Sequence, residues 1–134
     1  MYKLAIVGSR HLNYQHVDYK ELIKLTDVFE RNYKKLCIVS GGARGIDTLA
    51  EAFAKSRSSS FVVFPADWDK HGHAAGPIRN KEIEDFCDGC LAIWDLKSKG
   101  TAHTISLFQA SNKPVLIYSP RINPTQINLS LGVG

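Results

Sequence analysis

Residue types that can hold a phosphorylated ligand gather in four segments of the sequence, each directly after a short apolar run. The unusual residues of the chain, glycine above all, concentrate there, whereas the remaining connections have an ordinary composition. If the apolar runs are parallel strands, their carboxyl ends share one edge of a sheet, where ligands of such folds bind. The sequence therefore predicts one site built from the segments 8–10, 40–45, 65–80 and 95–101.

The second segment has the composition of an anion-binding turn. Ser40, Gly41 and Gly42 lead into a predicted helix, and glycines let backbone N–H groups approach an anion that faces the helix N-terminus. Arg44 can grip a phosphate through two hydrogen bonds. Asp47 can complement the helix dipole, cap the helix or bind a ribose hydroxyl. The alternative is that the glycines only make a tight strand-to-helix turn.

Glycine beside a cationic residue recurs in the first and last segments. Gly8, Ser9 and Arg10 follow the first apolar run, and Gly100 and Thr101 follow a lysine. This recurrence favours a phosphate or a similar anion as the bound group. Neither a G-x-x-x-x-G-K-[ST] loop nor a G-x-G-x-x-G fingerprint occurs, which argues against ATP hydrolysis and ordinary NAD-dependent hydride transfer.

The third segment is too long to be a plain connection. Trp68 can stack on a base or anchor the loop by packing. Asp67, Asp69, His71 and His73 resemble a metal site at first sight, but no further ligands have metal spacing. We therefore expect Asp67 and His71 to make polar contacts with a ligand.

Arg79 and Asn80 end the third segment, near the expected start of a helix. A cation there opposes the helix dipole, and an anionic ligand would offset that cost. The alternative is an ion pair of Arg79 with Glu82 or Glu84. His103, in the first turn of the last predicted helix, is equally a core histidine held by the backbone or a group that contacts substrate or transfers a proton.

The elements that must position these residues follow from the apolar pattern. Runs that are apolar throughout are typical of strands covered on both faces, and their alternation with helices implies a parallel sheet. The predicted fold class is α/β and doubly wound, with helices on both faces and with Val28 and Ile78 among the buried helix residues. Strands are expected at 3–7, 36–39, 61–64, 91–94 and 115–118, and helices at 17–33, 46–54, 78–86 and 102–110.

Composition limits the class of protein. The chain has 134 residues, of which 44% are hydrophobic, and carries a net charge of +4. It has no apolar run long enough to span a bilayer, so we expect a soluble, cytoplasmic protein without a membrane partner. The CDGC motif at 87–90 lacks a second pair at zinc spacing. We predict no metal and no cofactor.

The motifs resemble those of the SLOG superfamily, most closely its YspA-like branch from bacteria and bacteriophages. The second motif is also similar to that of DNA-processing protein A, a single-strand DNA binder. The resemblance covers 1–118 and implies a Rossmann-like domain that binds nucleotide-derived small molecules, often as a homodimer; 119–134 would be a tail or an arm. The motifs are GSR at 8–10, SGGARGIDTLAEAFA at 40–54, ADWDKHGHAAGPIRN at 66–80 and GTAHT at 100–104.

The related Lonely Guy phosphoribohydrolases imply a second possible function. Their P-G-G-x-G-T-x-x-E motif carries a catalytic glutamate, but Thr104 stands at that position here, and the Pro-Gly-Gly part is absent. Binding of a nucleotide-derived ligand is therefore the leading hypothesis. An N-glycosidase would have to recruit Asp47, Glu51, Asp67 or Asp95 as its carboxylate. Asp67 and Asp95 lie at the expected edge of the sheet, so they and His103 are the catalytic candidates. Single-strand nucleic acid binding is the third hypothesis, and it is less favoured because only Trp68 is a well-placed aromatic residue.

Overall fold

The computed structural model of the protein describes residues 1–30 and 35–120. Every pair of neighbouring strands is parallel, in the order β3-β2-β1-β4-β5, which confirms the predicted α/β class. A 3₁₀ turn at Gly72–Ala74 joins α3 to α4. The elements are β1 Tyr2–Gly8, α1 Tyr19–Glu30, β2 Leu36–Ser40, α2 Ile46–Ser56, β3 Ser60–Val63, α3 Trp68–His71, α4 Ala75–Phe86, β4 Gly89–Ile93, α5 Lys99–Ala110 and β5 Val115–Tyr118.

The strand order reverses at β1, which lies in the middle of the sheet between β2 and β4. Successive crossovers run outward in opposite directions from this strand, so the loops after β1 and β4 diverge and leave a crevice. At its floor Gly8 is the register partner of Ile93. The N–H of Ser9 donates to the Ile93 carbonyl over 3.1 Å, which extends the pairing of β1 and β4 into the loop.

The core consists of two layers, one on each face of the sheet. Leu4 and Ile6 pack with the buried residues of α1 and α2, whereas Ala5 and Val7 pack with those of α4 and α5. Alternation of side chains along β1 thus feeds both layers. This arrangement confirms that helices cover both faces of the sheet.

Two helix residues differ from the prediction. Val28 is 47% exposed and Ile78 is 39% exposed, so their predicted burial is wrong. On α1, Thr26 is buried instead. Its hydroxyl donates a hydrogen bond to the Leu22 carbonyl over 2.8 Å, so this polar group is stable in the interior. On α4, the helix begins at Ala75 and its buried face includes the polar residue Asn80. The predicted positions 31–33 of the first helix, and 121–134 of the tail, lie outside the described residues.

The three cysteines are free and buried. Burial raises the pKa of the Cys87 thiol to about 12, so it stays protonated and packs as a small apolar group. Within 1–30 and 35–120, no group of three or more histidine, cysteine or acidic residues is placed to hold a metal ion. No helix in these ranges is long and apolar enough to cross a membrane.

A buried carboxylate joins α4 to the loop before β5. Glu84 is 2% exposed, and its two oxygens bind the ammonium groups of Lys81 at 2.6 Å and Lys113 at 2.8 Å. The hydrogen bonds from Lys113 and Lys81 lower the pKa of Glu84 to about 2. Two ammonium groups compensate the single negative charge of this buried acid, so the ionised form stabilises the fold.

We predict that Glu84→Gln lowers the free energy of unfolding by about 1–3 kcal/mol near pH 7, because it removes the anion of Lys113 and leaves Lys81 with Asp85 alone. The folded-state pKa of Glu84 is depressed, so its stabilisation is present above an ordinary glutamate pKa of 4.5 and is lost as the pH falls toward 2. Urea denaturation should show the gap between wild type and variant shrinking at about pH 3. Glu82→Gln, an exposed change on the same helix, is the control. An equal gap at both pH values would contradict this account.

Candidate functional site

A cleft of about 640 Å³ opens at the carboxyl edge of the sheet, over the point where the strand order reverses. Its volume lies within the range of small-molecule sites. All four predicted segments contribute to its lining. Of the predicted site residues, the structure brings together here Gly8, Arg10, Gly41, Asp47, Trp68, Arg79, Asn80, Asp95, Gly100, Thr101 and His103. It does not place in the lining Ser9, Ser40, Gly42, Arg44, Asp67 and His71.

Gly41 is needed for a close approach between two parts of the protein. The Arg79 guanidinium, through Nη1, donates to the Gly41 carbonyl over 2.8 Å. A Cβ atom on Gly41 would collide with Arg79 Nη1 and would lie 3.0 Å from a carboxylate oxygen of Asp47. The glycine therefore makes room for protein side chains. This differs from the prediction, which gave that space to a ligand.

Asp47 occupies the anion position of the second loop. Its carboxylate accepts from the Ala43 N–H over 3.1 Å, and the Gly42 N–H donates to the hydroxyl of Ser40 over 3.2 Å. Burial raises the pKa of Asp47, and the Ala43 N–H and the charges of Arg79 and Arg10 oppose this effect. Two N–H groups predicted to face a phosphate are thus already satisfied within the chain.

Arg79 and Asn80 bind protein groups on both sides of α4. Arg79 Nε donates to the Asn80 side-chain oxygen over 3.0 Å. Because a guanidinium can only donate, this bond fixes the orientation of the amide. The Asn80 nitrogen then lies 3.2 Å from His103 Nδ1 and 3.4 Å from the Gly100 carbonyl. Arg79 is the fifth residue of α4, one turn from the helix start near which it was predicted.

The Asn80 bond determines the tautomer of His103. The amide nitrogen can only donate, so His103 Nδ1 accepts and the ring proton resides on Nε2. His103 is half-buried, and its position as the fifth residue of α5 puts it in the second turn, not the first. A neutral imidazole that donates from Nε2 can bind an acceptor atom of a ligand.

A hydrogen bond between Ser9 and Asp95 joins the first loop to the fourth. The Asp95 N–H donates to the Ser9 hydroxyl over 3.0 Å. The Asp95 carboxylate accepts from the N–H groups of Lys97 and Ser98, each over 2.8 Å. Burial disfavours its ionisation, but these hydrogen bonds outweigh that effect and lower the pKa of Asp95. Asp95 is thus an ionised carboxylate engaged in shaping the loop.

The residues of the third segment that line the cleft are Trp68, Gly76, Pro77, Arg79 and Asn80. Trp68 is 50% exposed. Asp67 lies outside the lining and caps α3, since its carboxylate accepts from the Lys70 N–H over 3.1 Å. Trp94 was expected to belong to a strand, but β4 ends one residue earlier, and its indole N–H donates to the Ser98 carbonyl over 3.0 Å. Both tryptophans therefore adjoin the site.

A family assignment agrees with this architecture. The sequence profile of the YspA, cpYpsA-related SLOG family matches residues 3–71. The chain belongs to this family. It is 37% identical over 103 residues to the Gene 61 protein of Mycobacterium phage D29, and the match covers 72% of this chain and 82% of that protein.

Two solved structures share the fold of this SLOG-family protein. DNA processing protein A (DprA) from Streptococcus pneumoniae superposes with a TM-score of 0.71 at 22% identity, over 92% of this chain and 52% of that one. This chain thus spans about half of that protein. DNA processing protein A from Helicobacter pylori, whose structure is described by its single-stranded DNA binding mode, gives a TM-score of 0.66 at 22% identity, over 99% and 74%.

Two lysines also line the SLOG-family cleft: Lys99, which the sequence pattern places beside Gly100, and Lys97, which the sequence analysis did not select. Lys97 and Lys99 flank Ser98, whose hydroxyl caps α5 by accepting from the Thr101 N–H. The N–H groups of Lys99 and Gly100 have no partner in 1–30 or 35–120. The sequence does contain a signal for these lysines. Two cations at the start of a helix oppose the helix dipole, as was argued for Arg79, and an anionic ligand would offset that cost.

We predict that the neutral form of His103 in this SLOG-family protein carries its ring proton on Nε2, because Asn80 donates to Nδ1. Long-range ¹H–¹⁵N correlation spectra distinguish the two ring nitrogens. His16, whose Nδ1 accepts from the Asn13 N–H over 3.2 Å, is the internal reference. Asn80→Asp replaces the donor by an acceptor and should move the His103 proton to Nδ1 without changing His16. Protonation of Nδ1 in the wild type would contradict the assignment.

Proposed function

We propose that the cleft binds a nucleotide or a nucleotide-derived phosphorylated small molecule, with its phosphate at the start of α5 and its base against Trp68. The observation that carries the proposal is the unpaired positive charge at this end of α5. Neither Lys97 nor Lys99 has an ion-pair partner within the described ranges, and two backbone N–H groups beside them are free. An anion there would satisfy donors and offset the unfavourable position of the lysines.

The rest of the cleft supports an anionic ligand. Its lining contains four lysine or arginine side chains and two carboxylates, Asp47 and Asp95, and both carboxylates already accept backbone N–H groups. A phosphate placed on the second loop would meet the buried Asp47 carboxylate and be repelled. We therefore assign the phosphate to α5.

The size of the cleft and the arrangement of its aromatic residues favour a small ligand over a long strand. A single strand normally requires several rings for successive bases, and Trp68 is the one Trp, Tyr or Phe side chain among the described residues that line the cleft. The single-stranded DNA binding named for the Helicobacter pylori neighbour belongs to a protein that shares only the fold with this chain.

We propose binding without cleavage of the glycosidic bond. Such hydrolysis uses a pair of carboxylates that flank the bond. Asp67 is outside the lining and caps α3, and Asp95 is held by Lys97 and Ser98. His103 remains available as a hydrogen-bond donor to the ligand. Native mass spectrometry of the purified protein would identify a retained ligand, and it would also test the homodimer expected from the sequence.

We predict that Lys97→Met and Lys99→Met each weaken the binding of nucleoside 5′-monophosphates by about 1–3 kcal/mol, the contribution of a charge-assisted hydrogen bond. Isothermal titration calorimetry with the four ribonucleotides measures this change. Lys70→Met removes the same charge from α3 outside the cleft and should leave the affinity unchanged.

Gly100→Ala tests the same position without changing a charge. A Cβ atom there has no heavy atom within 4 Å, and alanine is the better helix residue, so stability should be kept while a phosphate loses its close approach. Unchanged affinity in both lysine variants would contradict the proposed phosphate position. Free base released during the titrations would contradict binding without turnover.

A further inference from the structure

A second groove, which we call the side groove, lies next to the cleft, where the loop after β1 meets α1 and α2. It has a volume of about 720 Å³. Its lining includes Arg10, Asn13, Tyr14, Tyr19, Arg44 and Leu49. Arg44, which the sequence selected as a phosphate ligand, lines this groove and not the cleft. A mononucleotide bound in the cleft as proposed would leave the side groove unoccupied.

The side groove combines aromatic surface with unpaired positive charge. Tyr14 is 68% exposed. Neither Arg10 nor Arg44 has a hydrogen-bond or ion-pair partner for its guanidinium in the part of the chain that the structure describes. The one acidic residue of the lining, Asp18, already accepts from the Glu21 N–H over 2.9 Å. An exposed ring beside two guanidinium groups suits a nucleobase attached to a phosphate.

One residue joins the two cavities. Arg10 lines both of them, and its charge acts on Asp47 and Arg79 inside the cleft. On the other side its backbone packs against Gly45, which has a φ of 77° and whose Cβ atom would lie 2.5 Å from the Arg10 carbonyl oxygen. This contact holds Arg10 against the loop that carries Arg44. A ligand that leaves the cleft past Arg10 therefore enters the side groove.

We infer that the ligand has two nucleosides joined through phosphate, with the second base stacked on Tyr14 and the linking phosphate held between Arg10 and Arg44. This inference rests on the proposed function, since the first nucleotide occupies the cleft. The same chemistry occurs in a small dinucleotide and at the end of a longer single strand, and the experiment separates these two sources.

Calorimetry of the full chain with four probes of each base tests the inference. The probes are the 5′-monophosphate, the pyrophosphate-linked dinucleoside, the 5′-phosphorylated 3′,5′-linked dinucleotide and the 5′-phosphorylated decanucleotide. At least one of the two linked dinucleotides should bind about tenfold more tightly than the monophosphate, as expected for one added stacked base. A decanucleotide that binds about tenfold more tightly again would identify a single strand as the source, and equal or weaker binding would identify a small dinucleotide.

Variants of the side groove should remove the gain and leave the monophosphate affinity within about twofold of wild type. Tyr14→Ala removes the stacking surface, and Tyr14→Phe should restore it because the ring is kept. Arg44→Met removes one cation, and Lys24→Met, an exposed change of the same charge on α1, is its control.

Each outcome bears on one of the two proposals. Monophosphates that bind as tightly as every linked probe would overturn the side-groove inference and leave the proposed function intact. A gain that survives both Tyr14→Ala and Arg44→Met would also overturn it. Failure of all the probes to bind would overturn the proposed function together with the inference that rests on it. A linked probe that binds in a Tyr14-dependent manner, with monophosphates too weak to measure, would support both.

Discussion

Two adjacent residues on α4, Arg79 and Asn80, hold the site together. Arg79 binds the Gly41 carbonyl of the second loop, and Asn80 binds Gly100 and His103 of α5. The bond between their own side chains couples the two contacts. Three elements from different parts of the chain are thereby placed around one crevice. The absence of a side chain at Gly41, the orientation of the Asn80 amide and the tautomer of His103 all follow from this pair.

The cationic residues of the cleft form two groups. One group lies beside a carboxylate of the protein, and the other has no ion-pair partner among the described residues. Arg79 lies beside Asp47, whose carboxylate already binds the second loop. At the start of α5 are two lysines and two N–H groups that, within 1–30 and 35–120, have no carboxylate directed at them, because the Asp95 carboxylate accepts from the backbone of its own loop. The two helix starts on either side of β1 thus resemble each other in sequence but differ in occupancy. The start of α2 is occupied by the Asp47 carboxylate, and the start of α5 is where we propose that a phosphate binds.

Sequence reasoning predicted that the four glycine-containing segments meet at one edge of the sheet, because the connectivity of a parallel α/β fold dictates where such loops emerge. The structure brings these segments together around the cleft. Sequence reasoning could not determine which partner each side chain meets. Gly41 was assigned to a ligand, but its space accommodates Arg79. Arg44 follows the same loop as Gly41 and lines a different groove. Lys97 and Lys99 fit the argument that was applied to Arg79, but this argument requires knowing where each helix begins. Such boundaries are uncertain by a few residues when only the sequence is used.

The buried faces of the helices show the same limit. Apolar spacing identified α1 and α4, but Thr26 and Asn80 are buried where Val28 and Ile78 were expected. Thr26 satisfies its hydroxyl within its own helix, and Asn80 satisfies its amide across the site. A polar residue whose hydrogen bonds are made in this way is stable in the interior, and hydrophobicity alone does not identify it.

The position of the bound phosphate tests the central claim most directly. A crystal structure of the protein with a nucleoside 5′-monophosphate would locate the phosphorus atom by its electron density. The account predicts phosphate oxygens within about 3 Å of the Lys99 and Gly100 nitrogens. It also predicts that the Asp47 carboxylate remains on the Ala43 N–H. A phosphate bound to Gly41 and Gly42, with Asp47 displaced from the second loop, would contradict it.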